Sequence, residues 1–314
     1  MTATEAERAD DERTPRGAIH GYAVHSRIAW RFLRDTGGIT ESLEVHQLES
    51  DPAPADTPML EWPFREGRDF RASLYADDGR FAFWTDREGW FVADPSVPSI
   101  GLSDHEHTVR REQRLWGIPT ATSYLAHGDI SLHSAAVEVH GQAILFPAPG
   151  RHGKTTTAAA FHRAGYRMLS EDLARIHPTS QPSIFPGPAL LRLRPDVHGS
   201  IDVPDVEIVA EEPDRVHVAL TPPRRGTGDP VPIAGIVFLR RGEGSPVLER
   251  RQPADTIPDL WALSLHLPTH EDRSRCFHGV AGLAASVPSW NLHRDLRFDD
   301  LDDLVELVVA TCLP

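Results

Sequence analysis

Residues 131–176 read SLHSAAVEVHGQAILFPAPGRHGKTTTAAAFHRAGYRMLSEDLARI. Their order is strand, tight turn, strand, glycine-bearing loop, helix, strand and then an acidic pair. Ala135-Ala136-Val137-Glu138-Val139 and Ala143-Ile144-Leu145-Phe146 are short apolar runs parted by His140-Gly141, the pattern of a hairpin feeding a buried strand. Directly after it, Ala148-Pro149-Gly150-Arg151-His152-Gly153-Lys154-Thr155 fits G-x-x-x-x-G-K-[ST] at every position but the first. Glycines in such a loop let successive backbone N–H groups curl round an anionic phosphate. The lysine then reaches the β- and γ-phosphates, and the last hydroxyl serves a Mg²⁺ site.

Residues 155–164 have helical composition, with Ala158, Phe161 and Ala164 on one face and Gly165 as a C-terminal stop. Phosphates would therefore sit on a helix N-terminus, where orphan N–H groups and the helix dipole favour negative charge. The nucleotide-binding set is Pro149, Gly150, Arg151, His152, Gly153, Lys154, Thr155 and Thr156. A polar turn containing G-K-T by chance would not have the strand before it and the helix after it. Ala148 is compatible with the loop at negative φ, and Arg151 would add a cation beside the phosphates.

Working outward, residues 166–170 form a strand that ends on Glu171-Asp172. Residues just past a strand's carboxyl end face the ligand crevice of an α/β sheet. Two carboxylates there can hold Mg²⁺, shared between Asp172 and Thr155, and accept the proton of an attacking hydroxyl. His133 opens the hairpin; by pattern alone a single histidine there reads as structural.

Composition narrows the classes. The chain has 314 residues, 40% hydrophobic content and a formal charge of -14, with a mean hydropathy of -0.34. That length suits two domains. An acidic surface argues against nucleic acid as partner, because phosphate backbones dominate such binding. Cys276 and Cys312 are the two cysteines, too few for a disulfide framework and without metal-ligand spacing. No apolar run is long enough to span a bilayer, and the N-terminus lacks the apolar core of a secretory signal, so a cytoplasmic protein with no membrane partner is expected.

In chain order, residues 1–17 are charged and small and read as a disordered tail. Residues 18–127 read as a β-rich α+β domain. Leu43 to Leu48 alternates as a half-buried strand, and the runs at 71–75, 80–84 and 89–93 form an antiparallel meander with Trp62, Trp84 and Trp90 in its core. Residues 105–126 read as a helix with a kink or break at Pro119, and His105 and His107 as surface histidines. Residues 128–314 carry the nucleotide-binding core. Within them 200–230, rich in Pro, Asp, Glu and Arg, reads as a mobile excursion that could act as a lid. Residues 232–240 read as a buried strand, and 255–265, 271–286 and 299–312 as helices.

Taken together, L-H-S-A-A-V-E-V-x-G-x-A-I-L-F over 132–146, the loop, the helix and G-Y-R-M-L-S-E-D over 165–172 resemble the HPr serine kinase/phosphorylase fold. They look closer still to the HPr-kinase-like enzymes of gene clusters for ribosomally made peptides, lasso-peptide kinases included. The similarity continues into F-P-G-P-A-L-L-R-L-R-P-D over 185–196 and, more loosely, V-P-S-W-N-L over 287–292.

The resemblance implies an α/β P-loop core that moves the γ-phosphoryl group of ATP, with Mg²⁺, onto a serine-type hydroxyl of a peptide or protein. It also implies a homo-oligomer. His133 matches the family's strand histidine near the phosphates, Gly153, Lys154 and Thr155 its loop, and Glu171 and Asp172 its acidic pair. Catalytic roles thus fall to Glu171, Asp172, His133 and Lys154. The pair is usually two aspartates; Glu171 sets its carboxylate one methylene further out. Arg192, Arg194, Arg273 and Arg275 are candidates for a cation at the transition state. Two alternatives use the same motif: a nucleotide-binding regulatory protein of a peptide-maturation pathway without transfer, and a small-molecule kinase.

Overall fold

His140 (φ 52°) and Gly141 (φ 77°) both lie in the left-handed region, as the two central residues of a tight hairpin turn must. They join strand Ile130–Val139 to strand Gln142–Pro147, with Val139 opposite Gln142. The chain is described here as a computed structural model covering residues 15–53, 57–63, 70–222, 224–295 and 297–313. The architecture is mixed α/β, with three sheets among the described residues.

Both faces of the hairpin are covered, which is why its sequence is a nearly unbroken apolar run. Ala135, Val137, Ile144 and Phe146 face helices Lys154–Arg163 and Leu301–Cys312, which contribute Ala158, Phe161, Leu304 and Val308. Ala136, Ala143 and Leu145 face helices Pro253–Leu263 and His270–Ser286, through Leu260, Val280 and Leu283. Gln142–Pro147 continues in parallel to Val231–Arg241, which runs parallel to Ser289–Arg294. Every strand and helix expected after residue 128 is present to within a few residues. Ala164, expected on the face with Ala158 and Phe161, is exposed beside the stop at Gly165 (φ 98°).

The other edge of Ile130–Val139 carries two strands in line. Arg167–Ser170 pairs along its outer half, Arg167 opposite Glu138, and Leu173–His177 along its inner half, Leu173 opposite His133. Glu171 and Asp172 fill the interruption, where the Ser134 N–H donates to the Asp172 carbonyl at 2.9 Å. The acidic pair thus sits in register between two antiparallel segments, just past an irregularity between Met168 and Ser170, and not at the free carboxyl end of a parallel strand.

An eight-stranded sheet precedes this core, in the order Gly17–Ile19, Tyr22–Ser26, Ser42–Gln47, Ser99–Leu102, Gly89–Asp94, Arg80–Thr85, Ala72–Asp77, Leu60–Trp62. The meander is as expected, but its tryptophans differ. Trp62 packs at the core edge, whereas Trp84 and Trp90 stand half-buried on the other face, 6.3 Å apart, with Tyr75 5.7 Å from Trp90. The fully buried indole is Trp116.

Residues 105–126 form two helices, Val109–Leu115 and Ile118–Ala126, broken at Trp116-Gly117. Pro119 sits in the first turn of the second, where no intrahelical N–H is needed. His105 and His107 are exposed. Of the tail read over 1–17, residues 1–14 lie outside the described residues, and Gly17 already belongs to a strand. The stretch read as an excursion contains strands Val206–Glu212 and Arg215–Leu220, which pair with each other and with Leu190–Leu193 as the third sheet.

Two buried arginines fasten the first sheet to the core. Arg34 is 1% exposed. It donates to the carbonyls of Gly187 (2.7 Å), Met168 (2.9 Å), Leu169 (3.3 Å) and Arg225. Burial above all, and the charges of Arg167 and Arg225 after it, lower its pKa to about 9. Arg175 pairs with Asp129 at 2.5 Å and lies against the rings of Tyr22 and Phe185.

Candidate nucleotide site

The loop leaves the sheet at Pro147 and enters helix Lys154–Arg163 at Gly153. Ala148, where the motif has glycine, keeps a negative φ and buries its methyl in the core. Arg151 (φ 64°) and Gly153 (φ 84°) are both left-handed, the alternation that turns successive N–H groups toward one point. Gly153 offers no side-chain cap and the first helical turn holds no acid. The orphan N–H groups there are left to an anion.

Lys154 is 7% exposed. Its ammonium donates to the Ala148 carbonyl at 2.9 Å and the Pro149 carbonyl at 3.3 Å, folding back over the loop. Burial lowers its pKa, and Asp172 and Glu171 oppose that shift. Beneath the loop Arg294, 2% exposed, reaches the Gly153 carbonyl (3.3 Å) and Thr157 Oγ1 (3.1 Å). Burial brings its pKa down to about 10.

Thr155 and the acidic pair meet across the cleft. Thr155 Oγ1 donates to Glu171 Oε1 at 2.6 Å. Arg192 bridges the two acids, Nε to Glu171 Oε2 at 2.7 Å and a terminal nitrogen to Asp172 Oδ2 at 2.8 Å. His133 Nε2 lies 3.0 Å from Asp172 Oδ1. Desolvation would raise the Asp172 pKa, modestly because its side chain is 42% exposed, but Arg192, and after it His133, hold it well below the carboxylate range. Burial likewise works against the Arg192 charge, and the two carboxylates overcome it.

The resulting cleft has a volume of about 290 Å³. Arg151, Lys154, Arg192, Arg194 and Arg215 line it, against the carboxylates of Glu171 and Asp172. An excess of cations in one cleft of an acidic chain selects an anionic ligand.

The structure brings together His133, Gly150, Arg151, Gly153, Lys154, Thr155, Thr156, Glu171 and Asp172. Pro149 contributes only its carbonyl to Lys154, and His152 turns back to the Gly150 carbonyl at 2.9 Å. Of the four candidate cations, Arg192 is central and Arg194 lines the cleft. Arg273 and Arg275 lie elsewhere: Arg273 lines a surface groove with Trp261 and Phe277, and Arg275 pairs with Asp272. Arg215 and Arg294 went unnoticed in the sequence. Arg215 is carried by the strand pair at 206–220, and Arg294 ends a strand parallel to the loop strand's neighbour.

The Thr155 hydroxyl and the Glu171 and Asp172 carboxylates bring hard oxygen donors together here, the kind that suits Mg²⁺. Among the described residues no group of three or more His, Cys, Asp or Glu side chains could hold a metal ion. A cation at Thr155 and Asp172 would therefore complete its shell with phosphate oxygens and water, as Mg²⁺ commonly does.

No family model matches the chain, and neither does any curated protein. Among solved structures, the Hpr(Ser) kinase/phosphatase from Coxiella burnetii aligns with a TM-score of 0.33 at 10% identity, over 58% of this chain and 94% of that one. A superposition of that quality carries no weight for activity.

Proposed function

We propose that the chain is a nucleoside-triphosphate-dependent phosphotransferase of the P-loop kinase type, moving the γ-phosphoryl group of ATP to a serine-type hydroxyl of a peptide or protein. One observation carries the reading: an uncapped helix N-terminus with Lys154 and Thr155 faces Glu171 and Asp172 across a cationic cleft. The loop amides and Lys154 would hold the phosphates, with Arg192, Arg194 and Arg215 beside them. Thr155 and Asp172 would hold Mg²⁺, which supplies charge neutralisation at the phosphates when bound. The peptide acceptor follows the family likeness of the sequence.

Asp172 is a weak base where it stands, because Arg192 and His133 stabilise its anion. That suits phosphoryl transfer, in which positioning and charge stabilisation do most of the work and the acceptor proton moves late. Asp172 is thus assigned to orient the acceptor hydroxyl and take its proton, with His133 3.0 Å away fixing the carboxylate.

A nucleotide switch without transfer remains the second reading, because Arg192 neutralises both carboxylates. Calorimetry with ATP and Mg²⁺, together with phosphoryl transfer from γ-labelled ATP, separates the two. The kinase requires that native protein bind and transfer. Lys154→Ala should lose at least tenfold in affinity, given about 1.5–3 kcal/mol for a hydrogen bond to a charged group. Asp172→Asn should bind but transfer at least a hundredfold more slowly. Binding with no transfer by native protein selects the switch.

A further inference from the structure

The third sheet has two unlike faces. Leu191, Leu193, Val216 and Val218 enter the core around the loop helix, whereas Leu190 and Ala219 pack with Leu115 and Trp116 of the amino-terminal helices. Strand alternation puts Arg192 and His217 on the second face. They stand opposite each other in the ladder, where side chains leave the backbone about 5 Å apart. Arg192 is the cation that bridges Glu171 and Asp172.

His217 is 3% exposed, and both its ring nitrogens are buried without a hydrogen-bond partner among the described residues. Nε2 stops 3.6 Å from Glu212 Oε2, just outside hydrogen-bond length. Glu212 is held from its far side by Arg110 of helix Val109–Leu115, which donates to its two oxygens at 3.1 and 2.6 Å. Burial above all lowers the His217 pKa; Glu212 opposes that shift, and Arg192 adds to it. The ring is therefore neutral near pH 7, with one donor and one acceptor nitrogen. Buried polar groups are almost always paired, so two unmet nitrogens between a carboxylate and a guanidinium call for an explanation. One arrangement satisfies both: the ring donates to Glu212 and accepts from Arg192.

The kinase reading gives Arg192 a reason to move. Its guanidinium now occupies Asp172, the carboxylate assigned to Mg²⁺, and it must leave that oxygen when the metal site is used. We propose that His217 is a positioning residue for Arg192, accepting a hydrogen bond from the guanidinium once it leaves Asp172 while donating to Glu212. The proposal rests on the kinase reading. Arg110, Glu212, His217 and Arg192 then form one hydrogen-bonded chain from the amino-terminal helix to the cleft. His217 touches neither nucleotide nor metal and acts through Arg192 alone. Through this chain, helix Val109–Leu115 sets where the guanidinium stands.

The test is calorimetry of ATP binding to full-length protein, with and without Mg²⁺, so no acceptor is needed. His217→Leu removes both ring nitrogens. It should weaken ATP binding at least fivefold with Mg²⁺ and less than twofold without it, since a hydrogen bond to a charged group is lost only in the first case. His217→Gln keeps a neutral donor and acceptor and should stay within twofold of native protein under both conditions. Arg110→Met should show the same Mg²⁺-selective loss, and adding it to His217→Leu should cost less than a further twofold, because both act through one chain. Equal losses with and without Mg²⁺ would mean that His217 serves packing alone and would overturn the proposal. So would an unimpaired His217→Leu, or a His217→Gln as weak as His217→Leu. If His217→Leu fails to fold, Arg110→Met decides the matter, its selective loss supporting the chain and native-like binding refuting it. Indifferent variants of a protein that binds ATP remove only the positioning role; native protein that binds no ATP removes the kinase reading and this proposal with it.

Discussion

His20 should make the protein's stability fall with acid by a calculable amount. Its ring is 1% exposed at φ 48°, with Nε2 3.1 Å from the Trp116 carbonyl and Nδ1 buried without a partner. The neutral tautomer bearing hydrogen on Nε2 satisfies this arrangement. Protonation would place a charge and an unpaired N–H near Arg175 and Arg34. Burial above all, and those arginines after it, lower the pKa from 6.5 to about 3. Because the folded pKa lies below the unfolded one, the stabilisation is complete above 6.5 and is lost as pH falls toward 3, where only the unfolded ring takes up a proton. Over the roughly one and a half units from 6.5 to pH 5, at about 1.4 kcal/mol per unit, the loss is about 2 kcal/mol.

Urea unfolding of native protein and His20→Asn between pH 8 and pH 5 measures it. Asn tolerates the left-handed backbone and does not titrate. Burial also lowers the pKa of His107, His162 and His217, and those contributions cancel in the difference between the two proteins. The native protein should lose about 2 kcal/mol more than the variant across this range. Parallel pH curves would refute the reasoning.

Two further substitutions probe the cleft. Arg192→Met leaves Glu171 and Asp172 adjacent without their shared cation, so ATP affinity measured without Mg²⁺ should fall at least about tenfold; unchanged affinity would remove Arg192 from phosphate binding. Arg151→Gly relieves a left-handed φ of 64°, so the thermal midpoint should rise by about 1–3 °C. Calorimetry of the same variant should show weaker ATP binding, because a cation leaves the phosphate side of the cleft.

What was legible in the sequence was local. The His140-Gly141 turn, the loop and its helix each depend on residues within a few positions of one another, and each stands where expected. Glu171 and Asp172 were found by proximity to the loop, but their placement between two antiparallel segments depends on the register against Ser134 and His133, far back in the chain. Arg215 and Arg294 reach the cleft only through sheet pairing, so no short-range pattern could signal them. The helix break shows a competition that sequence reading misjudged. A kink or break was expected at Pro119 itself, yet the chain breaks earlier, where Gly117 adopts φ -92°, ψ -121° and Pro119 becomes harmless in a first turn. Trp84 and Trp90 were assigned inward by composition, although strand alternation sends them to the face opposite Phe83 and Phe91.

Arg34 also bears on how the chain is made. Its carbonyl partners lie 134 residues downstream at Met168, 153 at Gly187 and 191 at Arg225. On a ribosome adding about 5–20 residues per second, the last partner is synthesised roughly 10–40 s after the arginine itself. Throughout that interval the nascent amino-terminal sheet carries an uncovered guanidinium where the finished protein has a sealed seam. Completion of that seam is a late event in biosynthesis, set by translation of residues 168–225.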